Sequence, residues 1–411
     1  MNSTVPVVLP GRRGVALRPS QARELWVRRR VSLAWGLLVL NILTFYPGIS
    51  VVPIPSTIGK LITQGALPAA VLVALTVNPR IVIRPNVFLC LLSLLLLEAL
   101  MTTMSAQFLV SASYRTFRFV EFVAVLWLLS PWFGRQDLLL VRSYLTMLYA
   151  ALGSVILGQL VAPGRAGGLG GRLTGVIWPI PPTQVAHYAA VTGGIMAVLW
   201  LCGMARGRAT LLIVLASGGM LVLTHTRTAL IGMVAGLLVA GLSLFIAKAR
   251  VRKLFVTAGV MVSIAAITLS SVLTTWLARG ESTQQLSSFT GRTPVWQAVL
   301  NAPRDWFQVI FGAGLSNNSF GGLAIDSNWL AAYTDQGLIG VVLVVTMVLY
   351  VLVAAYFQPP GVRRALPLFL VTYCLVASFT ETGLSQPSSY MIELTLAASL
   401  LVPSAPDKVL A

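Results

Sequence analysis

Only 11 of the 411 residues are acidic, so each carboxylate invites a question about its job. Two of them, Asp326 and Asp335, stand in one short stretch, AIDSNWLAAYTDQGLIG, at the mouth of a long apolar run. A carboxylate in that position either caps a helix or handles a proton. Nine positions apart, the two lie about 180° round an α-helix, so they cannot share one cavity if the helix starts before Asp326. Glu381 in FTETGLSQP and His225 in THTRT are rival bases, each beside the end of an apolar run. His187, the other of the two histidines, lies at a similar depth. An isolated His there serves more often as a hydrogen-bonded structural group than as a titrating one.

The cations complement these groups. Arg227 stands between two apolar runs with almost no loop, where a guanidinium is costly unless paired or bound to an anion. In SFTGRTPVWQAVLNAPRDWFQVI, Thr293 reads as an N-cap and Pro294 as the first helical residue. Trp296, Val299 and Leu300 then form an apolar stripe suited to a short helix lying in the membrane interface. Arg292 precedes that helix, where free N–H groups and a guanidinium together favour phosphate. Arg172 belongs to a Gly- and Pro-rich loop, GGRLTGVIWPIPPTQVAHY. In YRTFRFVEF, Arg115, Arg118 and Glu121 share a helical face at i, i+3, i+6, which suits an internal ion pair or the lining of an anion cavity.

These residues need elements to hold them, and the composition says which. The chain is 57% hydrophobic and 10% charged, far from a soluble enzyme of this length. Apolar runs of roughly 16 to 25 residues recur, near the roughly 20 needed to cross a bilayer. The fold class expected is an all-α polytopic membrane protein with about 12 transmembrane helices. The boundaries read as a basic cytoplasmic tail (1–30), helices 1 to 9 (31–277), a large external loop with its own short helix (278–328), helices 10 to 12 (329–403) and a short tail (404–411). Most of the 29 Lys and Arg then fall on the side of the N-terminus, which places both termini in the cytoplasm. The net charge of +18 thus signals topology and attraction to membrane lipids, with no nucleic-acid partner. The basic residues left outside are almost all Arg, the bidentate partner of phosphate and carboxylate. The three cysteines show no ligand spacing and read as small hydrophobes.

Four segments together resemble the O-antigen ligase and O-antigen polymerase family of bacterial membrane glycosyltransferases. THTRTALIGMVAGLL is similar to the family's T-x-SR-T-A-like span start, and GRTPVWQAVL to its G-R-x-x-x-W element. FGAGLSNN followed by IDSNWLAAYTDQGLIG resembles its G-x-G, HN-x-x-L and E-x-G-hydrophobic-G pattern, and GRLTGVIWPIPPTQVA its R-x-x-G…P-N loop. The resemblance covers about 170–345. It implies a metal-independent, inverting transfer without cofactors on the outer face of the inner membrane. A glycan leaves a polyprenyl-pyrophosphate donor for a hydroxyl of a glycolipid or growing glycan acceptor. Arg227 and Arg292 then hold the pyrophosphate, with Arg172 as a third. The family's loop His is missing, and its place falls at or beside Asp326, which becomes the expected acceptor-facing group with Glu381 and His225 as rivals. Arg115, Arg118, Asn328, Trp329, Asp335 and His187 are expected substrate contacts, Asp335 serving equally as helix support.

A transporter or flippase of lipid-linked glycan is the competing reading. It calls for ionisable groups near mid-membrane and paired broken spans. The charges here gather at the outer surface, which favours chemistry there.

Overall fold

The computed structural model describes residues 19–268 and 292–403, apart from 47, 52, 53, 105, 107, 169 and 317. Residues 1–18 of the basic tail, the end of the ninth apolar run, the start of the 278–328 loop and the tail 404–411 lie outside the described residues.

The described chain is helical: α1 (Pro19–Ile42), α2 (Ser56–Val77), α3 (Val87–Thr103), α4 (Leu109–Leu129), α5 (Leu139–Val161), the single turn α6 (Pro163–Ala166), α7 (Pro182–Leu201), α8 (Gly207–Thr224), α9 (Arg227–Phe245), α10 (Ala249–Thr268), α11 (Arg292–Asn301), α12 (Trp306–Phe311), α13 (Asn328–Tyr356), α14 (Val362–Ala377) and α15 (Ser389–Leu401). Each apolar run of the sequence overlaps one of these helices. Among the described residues, six are long and apolar enough to cross a membrane: α2, α5, α7, α8, α9 and α13. The shorter α3 and α15 are also apolar. Helix α1 begins at Pro19, inside the segment read as a tail. Arg28, paired with Glu24 one turn back and with Asp137 at 3.0 Å, ties that extension to the bundle.

Helices α7 and α15 are buried on nearly every face and form the centre, as helices apolar all round should. Helix α9 packs on α14 through a small-residue face, Gly232 and Gly236. A Cβ at Gly236 would stand 2.8 Å from the Phe369 carbonyl oxygen, so only glycine allows this approach. Without a hydrophobic drive between helices in lipid, such close packing is what holds them together. Thr228, one turn before Gly232 on the same face, is thereby set beside Thr380, with hydroxyl oxygens 2.7 Å apart.

Helix α13 is broken at Gly337 (φ 61°, ψ −160°), a left-handed backbone that glycine adopts without penalty. The break frees carbonyls that the preceding loop takes up: Ala313 N donates to Thr334 O and Gly314 N to Asp335 O, both at 3.0 Å. The loop before α13 holds a two-stranded hairpin, Ser319–Phe320 with Leu323–Ala324, turning on Gly321 and Gly322 at positive φ.

The bundle has two unlike ends. At one, Arg84 donates to Phe133 O and Pro403 O, Arg363 to Gly134 O, and Arg250 to Trp200 O. At the other, Tyr46 N reaches Pro179 O, Val51 N reaches Val176 O, and Leu173 N reaches Leu223 O. The residues singled out for chemistry gather at this second end.

Candidate active site

Loop 378–388, between α14 and α15, carries Glu381, and three contacts fix it. Asn328 N donates to Ser378 O at 2.9 Å. The Asn328 side-chain oxygen accepts from Gly383 N at 3.1 Å and Leu384 N at 2.6 Å. Asn318 Nδ2 donates to Thr382 Oγ1 at 3.3 Å. The first turn of α13 and the hairpin thus hold the loop, and Glu381 is brought into electrostatic range of Asp326. Asn328, expected to touch substrate, is fully buried and committed to this strap instead.

Asp326 lies just before α13 and receives Arg292 Nε at 3.2 Å. Arg292 opens α11, so the helix starts two residues before Pro294, the first helical residue expected, and Thr293 lies inside it. The helix itself turns differently from the expected interfacial stripe. Val295 and Val299 pack on Ile325 and Ala331, while Leu300 stays 61% exposed. That packing, with Arg304 Nη2 on Val299 O and Thr334 Oγ1, sets α11 against α13 and brings Arg292 to Asp326.

Arg172 comes from the loop before α7. Its Nε donates to Thr224 O at 2.9 Å and its Nη2 to Thr226 Oγ1 at 3.1 Å. His225 between them adopts a left-handed conformation (φ 50°) as it ends α8. Arg227 then begins α9, flanked by Thr226 on Arg172 and Thr228 on Thr380. Arg172, Arg227, Arg292, Asp326, His225 and Glu381 therefore converge on one end of the bundle, although they span more than half the sequence.

Glu381 is the chemically distinctive member. Burial, and after it the like charge of Asp326, raise its pKa from the ordinary carboxylate value to about 7. Arg292, His187 and Arg172 pull the other way. A carboxyl poised near neutrality is suited to taking a proton from a hydroxyl. Burial also lowers the pKa of Arg172, and Glu381 opposes that shift. A partly buried carboxylate ringed by guanidinium groups can accept a proton while the same ring binds an anion.

Other expected contacts lie elsewhere. Asp335 is 2% exposed, interacts with Ser316 and Arg115, and supports the break in α13. Arg118 donates to Asn41 Oδ1 at 3.0 Å, so Arg115 and Arg118 serve different partners one turn apart. Trp329 packs toward Phe379, ring centroids 6.3 Å apart. His187 is buried in the core, its Nε2 2.8 Å from Glu393 Oε1 and its Nδ1 3.0 Å from Tyr373 Oη. Tyr144 Oη completes that network with a 2.8 Å bond to Glu393.

Sequence reasoning missed the hydroxyls of Thr226, Thr228 and Thr380 and missed Glu393. Alternation in THTRT was a signal for the first two, since only a tight turn between helices can use both. Glu393 was visible as an acid inside an apolar run, where a partner is obligatory.

Comparison with known proteins adds one finding. The family model described as O-antigen ligase matches residues 211–345. That segment holds His225, Arg227, Arg292, Asp326 and Asp335, while Arg172 and Glu381 lie outside it. No curated protein matches the sequence.

Proposed function

We propose, taking the O-antigen ligase segment at residues 211–345 as the premise, that this membrane protein transfers a glycan from a polyprenyl-pyrophosphate donor to an acceptor hydroxyl. The observation that carries the reading is the gathering of Arg172 and the Arg292–Asp326 pair around the Glu381 carboxyl, with Arg227 starting from the turn that Arg172 holds.

In this reading Glu381 takes the proton of the acceptor hydroxyl. The hydroxyl oxygen attacks the anomeric carbon from the face opposite the leaving group, and the bond from that carbon to the pyrophosphate breaks. The electron pair leaves with the pyrophosphate, so negative charge grows on its oxygens as the transfer proceeds. Guanidinium groups already in place stabilise that charge without reorganising. Arg227 and Arg292 hold the pyrophosphate, and Arg172 braces the Thr224–Thr226 turn from which Arg227 starts. Asp326, the sequence's first choice for the base, is engaged by Arg292; its role becomes orienting that guanidinium and holding up the pKa of Glu381. The sugar leaves inverted, and no metal takes part. The reaction belongs on the outer face of the inner bacterial membrane, with both termini in the cytoplasm.

Reconstitution tests this. The purified protein, given a lipid-linked oligosaccharide and a glycolipid acceptor, should release polyprenyl pyrophosphate, with the release persisting in chelator. Arg227→Ala and Arg292→Ala should each slow release by about 10²-fold or more, the usual scale for losing one stabiliser of developing charge. Full activity in both variants would refute the proposal.

A further inference from the structure

A polar cavity, of about 320 Å³, opens beside the candidate active site. It lies between the end of α1, the start of α2, the middle of α4 and the starts of α7 and α15. Lys60, Gln64, Arg118, Gln184, Thr382 and Ser389 supply its polar wall. Thr382, which lines it, directly follows Glu381, so the cavity lies one residue along the chain from the proposed base.

Its electrostatics are one-sided. Lys60 and Arg118 both line it, and no Asp or Glu does. The nearest acid to Arg118 along its own helix is Glu121, whose charge acts on it from one turn away. Arg118 is held by two neighbours: its Nη2 donates to the buried Asn41 side chain, which itself donates to Thr63 O, and its guanidinium stands 5.9 Å from the Tyr114 ring centroid. The Arg118 Nε is buried with no hydrogen-bond partner in the protein. Arg118 lines the cavity, so its guanidinium charge favours an anion that enters. Gln184 accepts from Tyr188 Oη through its carbonyl, which leaves its amide as a donor. Serine, threonine and amide groups alongside two cations are the complement of a hydroxyl-rich anion, and roughly 300 Å³ is the low end of ligand sites.

We infer that this cavity binds the acceptor, and that the acceptor carries a sugar with an anionic substituent, phosphate or carboxylate, next to the hydroxyl that is glycosylated. The inference rests on the transfer reaction proposed above and adds to it the acceptor's chemical class and place. Lys60 and Arg118 take the anion, and Gln184 and Ser389 take ring hydroxyls. Binding there presents a neighbouring hydroxyl to Glu381, while the arginines on the far side hold the donor.

Binding can be measured apart from transfer. The probe is a fluorophore-tagged lactose monophosphate, with tagged lactose as the neutral control, on the full chain in phosphatidylcholine nanodiscs. The phosphorylated probe should bind at least tenfold tighter than the neutral one. Lys60→Glu, at an exposed position, should erase that preference; Arg118→Lys, which keeps the charge, should retain most of it. Arg292→Gln should leave it unchanged. Equal affinity for the two probes overturns the inference, as does a loss in Arg292→Gln equal to that in Lys60→Glu, which would place the phosphate in the pyrophosphate site. Labelling of the cavity by a photoreactive phosphatidylglycerol that the sugar phosphate fails to displace would assign it to lipid and also overturn it. Polyprenyl pyrophosphate release, followed on the same nanodiscs, reports separately on the transfer reaction.

Discussion

At the scale of single residues, a pH profile separates Glu381 from Asp326. A base must be deprotonated to act. With a pKa about 7 for Glu381, kcat/KM should rise with pH on an acid limb centred near 7 and then level off. Glu381→Gln removes the base and should cost about 10²- to 10⁴-fold, and the limb should vanish from the residual rate. Asp326→Asn acts in another way. The Asp326 charge raises the Glu381 pKa, so its loss should move the limb to lower pH, and Arg292, no longer paired with a carboxylate, shifts it the same way. A limb that stays near 7 in Glu381→Gln and disappears in Asp326→Asn would return the base to Asp326.

At the scale of elements, the site depends on how closely α9 meets α14. The face formed by Thr228, Gly232 and Gly236 sets the register between Arg227 and the loop bearing Glu381. Gly236→Leu would drive a side chain into Phe369, an overpacking that typically costs about 1–3 kcal/mol. Because Thr228 and Thr380 would part, the variant should lose more transfer activity than its drop in melting temperature explains. Thermal unfolding in detergent, set beside release kinetics, checks both halves. The helices themselves were legible in the sequence, since long apolar runs specify them wherever water is absent. The packed face of α11 was not. Val295 and Val299 are buried by contact with Ile325 and Ala331, and those partners lie across a loop that local pattern does not span. The hairpin at 319–324 was equally hidden, because two residues per strand show no periodicity.

At the scale of the whole molecule, the two ends of the bundle differ in charge and in contents. One end fixes Arg84, Arg250 and Arg363 on backbone carbonyls; the other holds the candidate site and the cation-lined cavity. Positively charged loops stay in the cytoplasm, so the site end should face outward. Cysteines introduced one at a time at Gln297 on α11 and at Pro360 before α14, in a chain with Cys90 and Cys202 replaced by alanine and only the buried Cys374 left in place, test this in intact cells. A membrane-impermeant thiol reagent should label Gln297→Cys and spare Pro360→Cys; the reverse pattern would invert the protein.

The amino-acid sequence by itself determined that this is a helical membrane protein and that arginines and scarce carboxylates stand beside the ends of its apolar runs. Burial energy and the positive-inside bias act on each segment separately, so both can be read without knowing the fold. It also brought Arg227, Arg292 and Asp326 into view, because each sits at a helix terminus marked by local pattern. Only the tertiary structure decided that Asp326 is engaged by Arg292 and that Asn328 is a strap. It alone brought Glu381 to that group, where burial and the Asp326 charge raise its pKa. Those facts depend on distances between residues far apart in sequence. A pKa set by burial and neighbouring charge exists only once those neighbours have been assembled.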